Sequence, residues 1–313
     1  MNKAKKNFIK AMLFLLPALA IILVFRFTPI LYALRISFYD WGIAGSKGFV
    51  GLENYSNVLQ DGDFWHALTN TFWYVMTVVP GVIIFSMAIA VLLNQKIKFK
   101  GFFRTTYFLP VVTSIIAISI VWKWIYHPRI GVANYFLQLI GLNPLQWLQE
   151  PRGIFEMMFQ TELPLLLKGP SLALFSLSIM TVWKSLGYNI IIFLAGLQNI
   201  PGHYYESASI DGANKWQSFR HITLPLLSPT TFYVLLMTTI MSFKVFAPVW
   251  MMTGPPPGGP LGTTNVIVYY LFDKAFNFLK YGYATAVAFI LFVIILTLTV
   301  IQKKYGERNV HYE

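Results

Sequence analysis

Six long runs of apolar residues, separated by shorter polar segments, dominate the pattern along the chain. Each run is close to the ~20 residues that a helix needs to cross the hydrocarbon core of a bilayer. The pattern therefore predicts an all-α integral membrane protein in which residues 1–313 form a single transmembrane domain. The predicted spans cover residues 11–33, 71–94, 105–126, 171–198, 230–252 and 282–302.

The first run follows four lysines and contains Ala18-Leu19-Ala20, which has the small-x-small form of a signal-peptide cleavage site. Its apolar stretch continues through Ile30 and Leu31, so it exceeds the roughly 7–15 apolar residues of an ordinary signal peptide. We therefore predict an uncleaved anchor.

Charge supports this class of protein. Only 12% of the residues are charged, whereas soluble domains carry about 25%. The net charge of +12 would suggest a nucleic-acid partner in a soluble protein, but the basic residues lie in short clusters between apolar runs and no nucleic acid is expected. With six spans, the two tails and the 95–104 and 199–229 loops lie on one side of the membrane and contain thirteen Lys and Arg residues. The segments on the opposite side contain seven. The positive-inside rule then places both termini in the cytoplasm.

The external segments are also patterned. Residues 40–70 and 127–170 are rich in Trp, Phe and Leu, which predicts short amphipathic helices at the membrane interface. The Pro- and Gly-rich run from Thr253 to Pro260 predicts a loop, because Pro lacks a donor and Gly disfavours the helix.

The twelve acidic residues all lie outside the six predicted spans. Proton- and cation-coupled carriers commonly hold a carboxylate in mid-membrane. Its absence disfavours an ion-coupled carrier, although backbone and hydroxyl oxygens can also bind sodium.

Four basic residues do fall in the spans, and we expect Lys123, near a span end, to reach toward the interface. A buried cation is costly, so Arg26, Lys184 and Lys244 should face a cavity or a protein interface. Two interpretations of the lysines remain open: a substrate path or interfacial pairing. The rings beside them either stack on a sugar or pack helices together. The substrate-path candidates are Trp183, Lys184, Tyr188, Asn189, Phe243, Lys244 and Trp250.

Catalytic patterns are missing from the sequence. The chain has no Cys, its five His residues lack metal-ligand spacing, and it contains neither a nucleophile elbow nor a P-loop. This argues against a membrane enzyme such as a lipid-modifying transferase. We predict a non-catalytic chain without a bound cofactor or metal, so any ATP that drives it is hydrolysed by another subunit.

The loop from Asn199 to Pro229 is the most informative segment. Pro201 suits the first turn of a helix that runs to Ile210. Gly212 can supply a left-handed exit after Asp211, and Asn214 can cap a second short helix from Lys215 to His221. Pro225 marks the entry to the fifth span. This predicts a compact cytoplasmic helical hairpin, either a docking surface or an amphipathic hairpin on lipid.

The spacing of Glu206-Ser-Ala208, Gly212 and Ile222-x-Leu224-Pro225 resembles the EAA loop of binding-protein-dependent ABC importer permeases. Ser207 replaces the usual Ala. The resemblance implies a type I permease fold in which this loop docks into a cytoplasmic ATPase. Carried onto this chain, the coupling residues are Glu206, Ser207, Ala208, Asp211, Gly212, Ala213, Trp216, Phe219, Ile222, Leu224 and Pro225.

Three further motifs look like the maltose-type carbohydrate branch of this family: Phe49–Tyr55, Phe64–Thr71 and Gly282–Ala288. The resemblance implies a sugar or oligosaccharide as substrate; a glycerol-phosphate ester stays open. It also implies a bacterial or archaeal cell membrane, a second permease subunit forming a heterodimer, two cytoplasmic ATPase subunits that bind ATP and Mg, and an external solute-binding protein.

Overall fold

The computed structural model describes residues 3–95, 98–164, 167–254 and 256–306, and Lys96, Pro255 and Arg308 lie outside them. The described chain is helical over most of its length. Helix α1 (Lys3–Ile22) continues through a π-helical turn (Leu23–Phe27) into α2 (Thr28–Ile36). Ile22 and Thr28 keep right-handed helical angles, so the three segments run on as one helix.

Four helices in the described chain are long and apolar enough by themselves to cross a membrane: Lys10–Ile36, α4 (Gly62–Asn94), α9 (Leu172–Gln198) and α16 (Tyr281–Gly306). They coincide with four of the six predicted runs. Helix α4 begins nine residues before the predicted start at residue 71.

The predicted span 105–126 is not one helix. Helix α5 (Lys100–Val112) ends at Thr113, and α6 (Ile115–Ile125) leaves at an angle of 103°. Thr113 and Ser114 have extended ψ angles of 139° and 135°. The carbonyl of Pro110 would accept a bond from the N–H of residue 114 in an unbroken helix. The break removes that donor.

The predicted span 230–252 is also interrupted. Three residues separate helix α13 (Ser228–Phe243) from α14 (Ala247–Met252). Pro248 cannot donate to the carbonyl of Lys244, so a helix through both residues is disfavoured. Helix α13 itself follows the Lys215–Leu226 segment at a bend of 62°. Six spans result only if each bent pair counts as one span, so the number six stays a prediction.

The segment 40–70 differs from the prediction of short helices alone. It begins as an antiparallel hairpin of β1 (Tyr39–Gly42) and β2 (Gly45–Phe49), followed by α3 (Glu53–Gln60). Ile43 and Ala44 form the turn, and Gly45, the first residue of β2, follows it with a φ of +95°. In the 127–170 segment, α7 (Val132–Leu139) and α8 (Ile154–Phe159) confirm the predicted short helices. Of the predicted loop from Thr253 to Pro260, the described residues up to 259 are non-helical, as predicted, but Pro260 begins a 3-10 turn.

Contacts divide the chain into two compact units. The first comprises Met1–Gly62 and Leu271–Phe292, and the second comprises Asp63–Tyr270 and Val293–Glu313. The second holds the main apolar core, where Tyr74, Leu174, Met180 and Phe193 are fully buried. The remaining short elements are α10 (Gly202–Ile210), α11 (Lys215–Ser218), a π-helical turn (Phe219–Thr223), α12 (Leu224–Leu226), a 3-10 turn (Pro260–Gly262), α15 (Ile267–Phe272) and a π-helical turn (Asp273–Asn277). The single-domain organisation stays a prediction.

Candidate functional site: the 199–229 hairpin

The first arm of the hairpin is α10, as the sequence predicts. Pro201 occupies the N-cap position with an extended ψ of 135°, and the helix begins at the next residue. Proline fixes φ near the helical value and has no donor to lose there. The arm ends at Ile210, which is 87% exposed.

The turn after α10 is closed by two backbone bonds. Gly212 donates its N–H to the carbonyl of Ser209 at 3.2 Å, and Ala213 donates to Ala208 at 2.9 Å. This pair is the Schellman arrangement, which needs a left-handed residue between its donors. Gly212 provides it with a φ of +79°. The predicted role of Gly212 as a left-handed exit is confirmed.

The second arm starts with a reciprocal cap. The Asn214 Oδ1 accepts a bond from the Gln217 N–H at 2.9 Å, and the Gln217 Oε1 accepts from the Asn214 N–H at 2.8 Å. The cap at Asn214 was expected; its partner Gln217 was missed. The pattern Asn-x-x-Gln before a helix is the signal that could have identified it.

The two arms are also joined side by side. The hydroxyls of Tyr205 on the first arm and Thr223 on the second lie 2.9 Å apart. Within the second arm, the rings of Trp216 and Phe219 lie 5.6 Å apart. The predicted helix from Lys215 to His221 is present, but its hydrogen bonding widens to the π pattern at Phe219. The hairpin is thus fixed by its caps and by one bond between the arms.

A concave groove of about 330 Å³ lies on the hairpin. Five of the predicted coupling residues line it: Ala208, Asp211, Gly212, Ala213 and Ile222. The other predicted coupling residues lie outside its lining, some exposed (Glu206, Ser207, Trp216, Leu224) and some half-buried (Phe219, Pro225). Exposed apolar groups such as Ile210 and Trp216 beside a groove are typical of a docking surface.

The helices that flank the hairpin pack closely on one another. Helix α9 enters the hairpin and α13 leaves it, and the two are in contact. A Cβ at Gly196 would lie 2.5 Å from the Thr230 Oγ1 and 2.9 Å from the Leu227 side chain. A movement of the hairpin would therefore displace both α9 and α13, because the hairpin connects them and they pack on one another.

The substrate-path candidate Lys184 has partners within the chain. Its Nζ donates to the carbonyls of Pro110 at 2.9 Å and of Thr113 at 3.1 Å. These carbonyls lie at the break after α5, where they lack the backbone N–H donors of a continuous helix. Of the two interpretations left open, the geometry favours intramolecular pairing for Lys184.

The other substrate-path candidates lie in two groups. On α9, Trp183 and Tyr188 are exposed, while Asn189 is buried and donates to the Ser185 carbonyl at 2.8 Å. At the end of α13 and on α14, Phe243 is buried, whereas Lys244 and Trp250 are exposed. Their contact with substrate stays a prediction. Lys123 donates to the Gly254 carbonyl at 3.1 Å, which the sequence did not indicate.

Comparison with known proteins decides the family. Residues 55–309 match the family model described as the binding-protein-dependent transport system inner membrane component. The chain belongs to this family. This confirms the resemblance seen in the 199–229 loop, and the protein is a transporter permease of the membrane.

Two relatives and one solved structure are similar to this permease over nearly its whole length. The trehalose/maltose transport system permease MalF of Thermococcus litoralis is 32% identical over 94% of this chain and 92% of the relative. The arabinooligosaccharides transport system permease AraP of Bacillus subtilis is 33% identical over 93% and 87%. A bacterial alginate ABC transporter, solved in complex with an alginate pentasaccharide-bound periplasmic protein, superposes with a TM-score of 0.77 at 23% identity, covering 97% of this chain and 96% of that chain. The predicted ABC importer permease fold is confirmed.

Proposed function

We propose that this permease moves a sugar or oligosaccharide into the cell as the membrane subunit of an ATP-driven importer. The observation that carries the proposal is the 199–229 hairpin, which is capped at both arms and continuous with α9 and α13. The names of MalF and AraP, both more than 30% identical, favour a sugar as the class of substrate. The alternatives are a glycerol-phosphate ester as the substrate and an ion gradient as the energy source, and the uptake test below distinguishes both from the proposal.

In the proposed mechanism the hairpin sits in a groove of a cytoplasmic ATPase. Closure of two ATPase subunits on ATP and Mg would move the hairpin, and rigid caps would pass that movement to α9 and α13 as a body. The chain itself would bind neither nucleotide nor metal and catalyse no reaction. Its residues would have a structural role, because Gly212, the capping amide of Asn214 and the hydroxyl of Tyr205 hold the hairpin in a single conformation.

The proposed assembly has further members. A second permease subunit, distinct from this one, would complete the path, and an external solute-binding protein would deliver the sugar. Both termini would lie in the cytoplasm of a bacterial or archaeal cell. Of the substrate-path candidates, the exposed rings of Trp183, Tyr188 and Trp250 are the groups we propose to contact sugar.

Purification and uptake test the function. We expect this chain, isolated from its native membrane in mild detergent, to bring with it a P-loop ATPase and a second permease. Vesicles with that complex and the binding protein should import maltose or arabinotriose only when ATP is inside. Import driven by a proton or sodium gradient without ATP would overturn the proposal, as would import of glycerol 3-phosphate in place of every neutral sugar tested.

Charge reversal at the hairpin tests its docking role. Glu206 is exposed on α10, so Glu206→Lys should leave folding intact but place a like or unpaired charge in the ATPase interface. We expect at least about a tenfold loss of co-purified ATPase, equivalent to ~1.4 kcal/mol of binding. Glu162→Lys makes the same change at an exposed residue of the 127–170 segment and should retain the ATPase. Equal retention in both variants would refute the assignment.

A further inference from the structure

Another cavity lies wholly within the first compact unit, far along the chain from the 199–229 hairpin. It has a volume of about 560 Å³ and is formed by the β1–β2 hairpin, α3 and residues 278–283. Pockets of about 300–1,000 Å³ are the usual size for small-molecule sites. In the proposed topology it lies on the external side of the membrane.

The walls of this cavity are held in place by specific contacts. The Asn54 Nδ2 donates to the carbonyls of Ser37 at 2.9 Å and Tyr39 at 3.0 Å, which fixes α3 against the hairpin. Gly282 lies so close to the Tyr39 carbonyl that a Cβ there would overlap it. Asn54 belongs to the sequence motif Phe49–Tyr55, and Gly282 belongs to the motif Gly282–Ala288. These motifs thus converge on one cavity.

The opposite wall is anchored by an acid at the end of α3. The Tyr283 hydroxyl donates to the Asp61 carboxylate at 2.9 Å, and the Lys274 ammonium lies 3.6 Å from the same oxygen. Between them, Leu279 lines the cavity with a left-handed φ of +57°, which is costly for a residue with a side chain. Strain of this kind is typical of functional segments. The cavity is therefore preorganised.

The lining combines an aromatic ring with hydrogen-bonding groups. Trp41 is half-buried, and edge contacts with Tyr32 and Tyr39 fix its plane. Around it stand two carboxylates, two ammonium groups and an amide, from Asp40, Glu53, Lys47, Lys280 and Asn57. An indole face packs on the C–H face of a sugar, while carboxylates, amides and ammonium groups bond its hydroxyls.

The charges of the lining select among ligands. Asp40 and Glu53 balance Lys47 and Lys280, so the charged lining groups sum to zero, and Lys47 already lies 3.7 Å from Asp40. A phosphate or uronate would need an excess of donors. We propose that this cavity is a contact site for a neutral saccharide at the external mouth of the permease. The class of ligand rests on the proposed function; the cavity and its charge balance do not.

The lack of cysteine in the chain permits a direct test. Asn57→Cys places one thiol in the lining, and Ser46→Cys places one on the exposed face of β2 outside it. Right-side-out vesicles carrying the complete importer, without binding protein, are treated with a membrane-impermeant maleimide. Maltose or arabinotriose should slow labelling at position 57 by the factor 1 + [sugar]/Kd, about tenfold at ten times Kd, and leave position 46 unchanged.

Each other result has a defined meaning. Unchanged labelling at position 57, in vesicles that import the sugar once binding protein and ATP are added, would overturn the cavity while leaving the proposed function intact. Equal protection by glycerol 3-phosphate would overturn its selectivity for neutral ligands. Protection by sugar-free binding protein but not by sugar would make the cavity a protein contact and overturn the proposal. Protection by sugar in vesicles that import none would support the cavity and count against the proposed function.

Discussion

At the scale of single residues, Lys184 shows how a cation within a predicted span is stabilised. Its ammonium replaces the backbone donors that the carbonyls of Pro110 and Thr113 lose where α5 breaks. Hydrogen bonds between polar groups of neighbouring membrane helices are worth up to ~1–2 kcal/mol. A lysine donor can serve two carbonyls at once, which a neutral side chain of similar length such as Met cannot.

Replacement of this lysine should therefore weaken the fold rather than substrate binding alone. We expect Lys184→Met to lower the free energy of unfolding by about 1 kcal/mol, because two carbonyls lose their donor. The measurement is the fraction of monodisperse protein after a heat step in detergent. Lys244→Met is the matched control, since the Lys244 side chain is exposed and makes no hydrogen bond within the described chain. Equal heat stability of the two variants would refute the pairing role.

Gly212 yields a second residue-scale prediction. Both Gly212 and Gly202 have open space where a Cβ would stand, but only Gly212 has a positive φ. Gly212→Ala should therefore strain the hairpin by ~1 kcal/mol, whereas Gly202→Ala should not. We expect weaker ATPase stimulation by substrate in the first variant only. Gly212→Asn should recover part of it, because Asn tolerates left-handed angles. A normal Gly212→Ala variant would show that the turn is not part of coupling.

At the scale of elements, local signals predicted the hairpin well. Gly212 and Asn214 each act within a few residues of their own position and have the predicted roles, while Pro201 lies at the N-cap, one residue before the helical turn in which the sequence places it. The breaks at Thr113 and Lys244 were missed because hydropathy records apolar length and not helix direction. The partner of the first break is Lys184, more than 70 residues along the chain. Only the folded chain brings the two together.

The β1–β2 hairpin was missed for a different reason. Its Trp and Phe residues suggest one face of an interfacial helix. The glycines at 42, 45, 48 and 51 disfavour a helix and point to a turn, and three of them have positive φ. The spacing of glycine was the better guide than the aromatic content. The cavity built on this hairpin could not be predicted without it.

The contact between α5 and α9 provides an element-scale prediction. A Cβ at Gly187 would overlap the Tyr107 carbonyl and lie 2.6 Å from the Val111 side chain. Gly187→Ala should separate the helices, pull Lys184 from its carbonyls and cost about 1–3 kcal/mol. Heat stability in detergent and uptake in vesicles should both fall. Gly101→Ala on α5 meets no atom within 4 Å and should leave both unchanged. A stable, active Gly187→Ala variant would mean that this contact is adjustable.

At the scale of the whole molecule, the N-terminal helix is unlike the others. The side chains from Lys10 to Tyr32 are all exposed in the chain by itself. An apolar helix of that length needs lipid or another subunit around it. By contrast, the spans α4 and α9 are partly buried in the second unit. The exposed helix is consistent with the proposed heteromeric importer, in which a chain of this kind does not act alone.

Orientation in the membrane decides whether the proposed assembly can exist. With no native cysteine, Ser209→Cys on α10 and Ser46→Cys on β2 each give a single exposed label site. In intact cells an impermeant maleimide should label position 46 and spare position 209, which should react only after permeabilisation. The basic residues beside the hairpin predict this arrangement. Labelling of position 209 in intact cells would place the hairpin outside, where no ATPase can reach it. The coupling role would then be refuted, while the family and the fold, which are shown by comparison, would stand.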